Sequence, residues 1–158
     1  MNQLPDFWRT EVLHPLSVHL PIALLLVATA FKLVSLWRSG ETWSRGGSIL
    51  LFVGVIGGWM SVYTGNLADG VVARELCDPT VLKDHENAAL IMVWLFTSAV
   101  ILEMIYSFLK KTWLKLSMVG AMIIGSGFLG YTGHLGATLV YQQAAGVYVP
   151  SDDCEEFQ

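Results

Sequence analysis

Four long apolar runs constrain this chain more than any other feature of its sequence. They cover about residues 16–37, 47–68, 86–109 and 113–141. A helix needs roughly 20 apolar residues to cross a hydrocarbon core about 30 Å thick, and each run is long enough. Only 14% of the residues are charged, whereas a soluble domain carries about a quarter. The sequence therefore predicts an all-α integral membrane four-helix bundle, organised as a single domain over residues 1–158.

The first apolar run begins with the segment HPLSVHLPIALLL, residues 14–26. It is too long for a cleavable signal peptide, no basic segment precedes it, and no small-residue cleavage pattern follows it. We expect it to remain as the first membrane helix. Pro15 is expected at the first helical position. Pro21 cannot donate a hydrogen bond to the carbonyl of Ser17, so we expect a kink there.

The nine basic residues predict the orientation in the membrane. Six of them flank the first and third connections between the runs: Lys32, Arg38, Arg45, Lys110, Lys111 and Lys115. The other three lie on the opposite side: Arg9, Arg74 and Lys83. The positive-inside rule therefore places both termini and the polar loop 69–84 on the outer, periplasmic side. At the end of that loop, Asp84 is expected to cap the third helix.

All histidines and cysteines fall on the predicted outer side or in the outer half of a helix. They are His14, His19, His85, His134, Cys77 and Cys154. The two cysteines lie in different outer segments, facing an oxidising compartment. We therefore expect a disulfide between Cys77 and Cys154, with two unpaired thiols as the alternative.

Small residues accompany the histidines. His134 follows Gly130 and Gly127 on one helix face, and Gly58 belongs to a stripe of small residues in the second run. Such residues allow transmembrane helices to pack closely. They also leave room for a flat macrocycle whose iron takes imidazoles as axial ligands, and bundle interiors commonly hold such cofactors. Both interpretations remain open for the second run.

The second interpretation predicts a b-type haem with two axial histidines near the outer face. We expect His19 to face the bundle interior and to pair with His134 or His85. His14 precedes a proline, which favours extended backbone, and it cannot share a helix face with His19. Its role is therefore open between ligand and interfacial residue. We expect one haem, and four histidines would suffice for two.

Two other functions compete with a haem. His14, His19, His85 and Glu86 could bind zinc or copper at the outer face, for binding or for transport. Alternatively, the chain is a non-catalytic membrane anchor subunit of a redox complex, whose glycines only pack helices. Lys32 and Glu103 lie toward the inner ends of their runs, where snorkelling or mutual pairing would explain them. The sequence has no phosphate-binding loop, no Ser-His-Asp arrangement and no basic stripe for nucleic acid.

Three segments carry a resemblance to a known family. HPLSVHLPIA near the start, the segment around His85, and GHLGATLVYQQAAGV at 133–147 resemble the bacterial membrane family catalogued as domain of unknown function 2231. The resemblance covers nearly the whole chain. Ala145 stands near a position where the family often has glycine, and Gly136–Ala137 replaces a usual glycine pair.

Members of that family occur alone or joined to Rieske-type or cytochrome c-type modules. The resemblance therefore implies electron transfer rather than a stand-alone enzyme. We expect the chain in the bacterial inner membrane, surrounded by the lipid bilayer. It would pass electrons from a quinol or another membrane partner to a periplasmic cytochrome c-type or Rieske-type protein. The sequence leaves a homo-oligomer open.

Overall fold

The structure, a computed structural model, describes residues 10–38, 40–74 and 76–147. It contains four helices, which are α1 (Thr10–Trp37), α2 (Glu41–Val72), α3 (Pro79–Leu109) and α4 (Thr112–Gln143). Each helix is long and apolar enough to cross a membrane. Within the described residues there is no strand, so the predicted all-α four-helix bundle is confirmed.

The helices extend further than the apolar runs at the end of the bundle that carries the histidines. There α1 begins at Thr10 instead of residue 16, and α3 begins at Pro79 instead of residue 86. An apolar run shows only which part of a helix can lie in the hydrocarbon core of the membrane. The helix itself can continue beyond the run until its backbone is capped. The expected loop 69–84 is therefore reduced to the short connection 73–78.

Asp78, and not the expected Asp84, caps α3. Its carboxylate accepts hydrogen bonds from the Thr80 backbone N–H at 2.9 Å and from Thr80 Oγ1 at 2.6 Å, and Pro79 occupies the first turn. These bonds hold the pKa of the Asp78 carboxyl below its usual range. Proline suits this position because its missing N–H would have no helical partner.

The bundle consists of two helical hairpins. Neighbouring pairs around it are α1–α2, α2–α3, α3–α4 and α4–α1, so α1 and α3 are diagonal and run in the same direction. Packing inside the first hairpin is close, because a Cβ added to Gly54 would lie 2.7 Å from Leu25 Cδ2. In the second hairpin, a Cβ on Gly125 would lie 3.0 Å from the Phe96 ring. The core between the hairpins includes Leu25 and Phe96, both fully buried.

Two prolines lie inside α1 without ending it. Pro15 is therefore not at the first helical position, and His14 is helical in spite of the proline that follows it. Because Pro21 cannot donate to the Ser17 carbonyl, that oxygen needs another partner. Ser61 of α2 supplies one, with Oγ 3.3 Å from Ser17 O and 3.0 Å from Gly57 O. Contacts with α2 thus compensate the backbone defect.

A buried ion pair lies at the opposite end, which we call the lysine end. Lys32 is only 2% exposed, and its Nζ pairs with the carboxylate of Glu103. The same ammonium donates to Ser48 Oγ at 2.8 Å and to Ser44 O at 3.1 Å. Of the two explanations considered for Lys32 and Glu103, the structure shows mutual pairing. We call the other end, with His14 and His85, the histidine end.

Candidate bis-histidine site

Two of the four histidines meet across the bundle. His14 of α1 and His85 of α3 are half-buried, with ring centres 6.2 Å apart and ring planes at 89°. These helices are diagonal, so the two rings approach each other over the bundle axis from different hairpins.

The His14 ring is held by α2. Its Nδ1 lies 3.0 Å from Ser61 O and 3.4 Å from Thr64 Oγ1. Ser17 Oγ donates to His14 O at 2.9 Å and lies 2.8 Å from Thr64 Oγ1, which links both helices around the ring. A Cβ on Gly65 would lie 3.2 Å from His14 Cε1. The His14 ring can therefore pack against α2 at this position because Gly65 has no side chain.

The His85 ring is held in the same way by α4. Its Nδ1 lies 3.0 Å from Thr132 O. A Cβ on Gly136 would lie 3.3 Å from His85 Cε1. Each hairpin therefore provides one imidazole, one backbone carbonyl that holds it and one glycine that leaves space for it.

The carbonyl partners determine which ring nitrogen carries the hydrogen. A carbonyl oxygen can only accept, so Nδ1 must be the donor in both His14 and His85. In a neutral imidazole the other nitrogen, Nε2, then keeps its lone pair, the electron pair with which histidine binds metals. This hydrogen bond from the remote nitrogen is the usual support of a metal-binding histidine.

A cavity of about 490 Å³ adjoins both rings. Its lining comes from all four helices and includes Pro21, Gly58, Met92 and Leu129. It is mostly apolar, with a few polar groups such as Glu86 nearer the histidine end. Binding sites for small molecules and cofactors commonly have volumes of about 300–1,000 Å³ and this mixture of groups. The bundle thus has a ligand-sized space between its hairpins.

The other two histidines lie elsewhere. His19 is exposed on α1, although we expected it to face the interior, and His134 is exposed on α4. Because His19 is five residues beyond His14, the helix turns it to a different face. The predicted pairing of His19 with His134 or His85 is therefore not seen, and the structure brings His85 together with His14 instead.

The glycines named from the sequence also divide into two groups. Gly58 is buried and lines the cavity. Gly127 and Gly130 are exposed, and a Cβ added to either would meet nothing within 4 Å. They do not border the cavity. Sequence reasoning missed the carbonyls of Ser61 and Thr132 as the groups that hold the rings, because backbone partners leave no residue-type signal.

Neither Cys77 nor Glu86 completes a three-ligand metal site with the two imidazoles in the described part of the chain. Cys77 is exposed in the connection between α2 and α3. Cys154 lies outside the described residues, so the disulfide between them stays a prediction. Glu86 Oε2 accepts from Lys83 Nζ at 2.9 Å. Among the residues that the structure describes, no three His, Cys, Asp or Glu side chains form a group that could hold a metal ion.

The donor set fits a haem better than a bare metal ion. Zinc in proteins takes three or four protein ligands, whereas a haem iron brings four ring nitrogens of its own and needs at most two. With metal–imidazole bonds of about 2 Å, two imidazoles on opposite sides of one metal have ring centres roughly 6 Å apart. The separation between His14 and His85 matches this value.

The fold and the four long apolar helices define a multi-pass membrane protein with a four-helix bundle. The chain belongs to the family described as "Predicted membrane protein (DUF2231)", whose model matches residues 10–148. This confirms the family resemblance found in the sequence. No curated protein and no solved structure matches the chain significantly.

Proposed function

We propose that this chain is a membrane b-type haem protein whose iron is ligated by His14 and His85. One observation carries the proposal: two diagonal helices bring their imidazoles together beside a cofactor-sized cavity. In each imidazole, the Nδ1–H group donates a hydrogen bond to a backbone carbonyl. A haem that is held by two histidines requires two imidazoles that approach each other, and His14 and His85 meet this requirement.

Each part of the surroundings supports this assignment. The Ser61 and Thr132 carbonyls fix the tautomer and orientation of the rings and raise their basicity as ligands. The lining is mostly apolar, and the polarity and burial of the surroundings are among the factors that set a haem potential. Gly58 keeps α2 free of bulk beside the cavity. When bound, the haem supplies reversible one-electron transfer, and the protein residues supply its position and its environment.

Two imidazoles without a third protein ligand among the described residues also favour haem over the zinc or copper alternative. We therefore propose electron transfer between a quinol or another membrane partner and a periplasmic acceptor of the cytochrome c or Rieske type. The family resemblance supports those partners, and the position of the candidate site near one membrane face is compatible with an acceptor outside the bilayer.

The excess of basic residues at the lysine end supports a periplasmic histidine end in a bacterial inner membrane. A reporter cysteine can test this in a variant without the two native cysteines. Asp84→Cys should react with a membrane-impermeant reagent in intact cells, and Lys111→Cys should react only after the membrane is opened. The reverse pattern would contradict the proposed orientation.

The decisive experiment is a reduced-minus-oxidised absorption spectrum of protein purified in detergent after expression with sufficient haem. We expect a Soret band and an α-band of a six-coordinate b-type haem. His14→Ala and His85→Ala should each abolish that spectrum. His19→Ala and His134→Ala are matched controls, since both residues are exposed, and they should leave it intact. A parent protein without haem bands, or a spectrum that survives loss of His14 or His85, would overturn the proposal.

A further inference from the structure

The ion pair at the lysine end and the histidine pair at the other end belong to the same two helices. Lys32 follows His14 on α1 by eighteen residues, and Glu103 follows His85 on α3 by the same interval. Eighteen residues make about five complete helical turns and a rise of about 27 Å. Each helix therefore presents its histidine and its charged residue on one face, and the two pairs face each other across the same diagonal.

Polar contacts connect all four helices at the lysine end. Lys32 Nζ joins α1 to Glu103 of α3 and to the Ser48 hydroxyl of α2. Ser48 Oγ donates to the same carboxylate oxygen at 2.6 Å. Lys115 of α4 completes the set, with Nζ 2.7 Å from Ser35 O of α1. Both the lateral distance and the rotation of α1 relative to α3 are thereby fixed at this end.

At the histidine end, no hydrogen bond joins α1 to α3 within the described residues; the hairpins are joined there by the connection 73–78 between α2 and α3, where Asp78 N–H donates to Gln143 Oε1 of α4 at 3.2 Å. His14 bonds to α2 of its own hairpin, and His85 bonds to α4 of its own hairpin. The cavity separates the two hairpins at this level. α1 stays helical through Pro15 and Pro21, and Ser61 of α2 bonds to the Ser17 carbonyl that Pro21 leaves free, so an orientation set at the lysine end can carry along α1 to His14.

We infer that Lys32 and Glu103 are positioning residues for the histidine site, acting through the rigid helices α1 and α3. This inference rests on the proposed function in one respect, namely that the group held by the two positioned histidines is a haem. The ion pair sets the spacing and the rotation at which the two imidazoles face each other. Its location inside the membrane span agrees with this role, since charges there are costly and pair toward the interior.

The variants must separate positioning from folding. Removing one partner leaves a buried charge without compensation, which is strongly destabilising, whereas replacing both with apolar residues is often tolerated. The informative variant is therefore the double substitution Lys32→Met with Glu103→Leu. Glu103→Gln keeps an acceptor for Lys32 and Ser48 but leaves the Lys32 charge without a counter-ion, so it belongs with the single-partner variants that are expected to be destabilised. Glu41→Leu is the matched control, since Glu41 pairs with Arg45 on the surface of the same end.

Two measurements test the inference. Spin labels at Leu16→Cys and Asp84→Cys, in a variant without the native cysteines, report the distance between the histidine ends of α1 and α3 without any haem. Both positions are exposed. The electron paramagnetic resonance spectrum of the ferric haem and its midpoint potential report the imidazole geometry in the loaded protein.

In the double variant, we expect a broader distance distribution, a shifted haem spectrum and potential, and haem affinity lower by about tenfold, as for other residues that orient metal ligands. Glu41→Leu should be indistinguishable from the parent. A folded double variant with unchanged distances and an unchanged haem spectrum would overturn the inference and leave the haem assignment intact. A parent that binds no haem would overturn the proposed function, while the spin-label distances would still decide whether the ion pair positions α1 and α3.

Discussion

Gly65 and His14 stand in such close contact that a single added carbon on Gly65 would lie 3.2 Å from Cε1 and 3.3 Å from Nδ1 of the ring. The ring cannot move away freely, because Nδ1 is bonded to Ser61 O. Gly65→Val should therefore displace the His14 imidazole and lower haem affinity by about tenfold or more. A haem titration followed at the Soret band measures this.

The control for this glycine is Gly127, which lies on α4 with nothing near an added Cβ. Gly127→Val makes the same chemical change in a helix without touching either ring. It should leave haem affinity unchanged. Equal effects at Gly65 and Gly127 would mean that the glycine beside His14 does not define the space for its ring.

Pro21 and Ser61 make a second testable pair. The Ser61 hydroxyl reaches the Ser17 carbonyl that Pro21 leaves without an N–H partner. Ser61→Ala should lower the free energy of unfolding by about 1–3 kcal/mol, the cost of a buried acceptor without a partner. When Pro21→Ala restores the N–H, the same serine substitution should cost less. Reversible unfolding in mixed micelles measures both values, and equal costs in the two backgrounds would contradict this coupling.

Asp78 should make the start of α3 sensitive to acid. The pKa of its carboxyl is lowered by the hydrogen bonds from Thr80, so the ionised form is favoured in the folded protein. Its stabilising contribution is therefore complete above the pKa of the unfolded state and is lost as the pH falls through the lower folded pKa. Amide hydrogen exchange at Thr80 should accelerate over that acidic range beyond the intrinsic pH dependence of exchange.

Asp78→Ala should remove this extra pH dependence and accelerate exchange at neutral pH. Asp84→Ala is the control, because Asp84 is exposed nearly two turns further along the same helix and does not cap it. If Asp84→Ala had the larger effect, the helix would begin where the apolar run begins, and the assignment of the cap to Asp78 would be wrong.

The fold could be predicted because four spans of hydrocarbon length leave few alternatives. The exact helix ends could not, since Thr10 and Pro79 begin helices outside the apolar runs. The sequence did not reveal which two histidines form the pair. In a membrane helix every face is apolar, so periodicity does not reveal which face points inward. Gly127 and Gly130 beside His134 therefore suggested an interior face that the structure leaves exposed.

One signal in the sequence could have identified the pair. A charged residue within a membrane helix must face the interior, so Lys32 and Glu103 mark the inward faces of α1 and α3. Residues eighteen positions away lie on the same faces, and these are His14 and His85. The backbone carbonyls of Ser61 and Thr132 had no such signal, because only the packing of the helices brings them to the rings.

The division of the histidine site between two hairpins has a consequence for biogenesis. Each hairpin provides only one of the two imidazoles of the site, so a group that needs both His14 and His85 can join the protein only once the halves have come together. A ligand that binds only the assembled form stabilises it by mass action. Cofactor binding would therefore follow the assembly of the two hairpins, and it would add stability only to chains in which they have already come together.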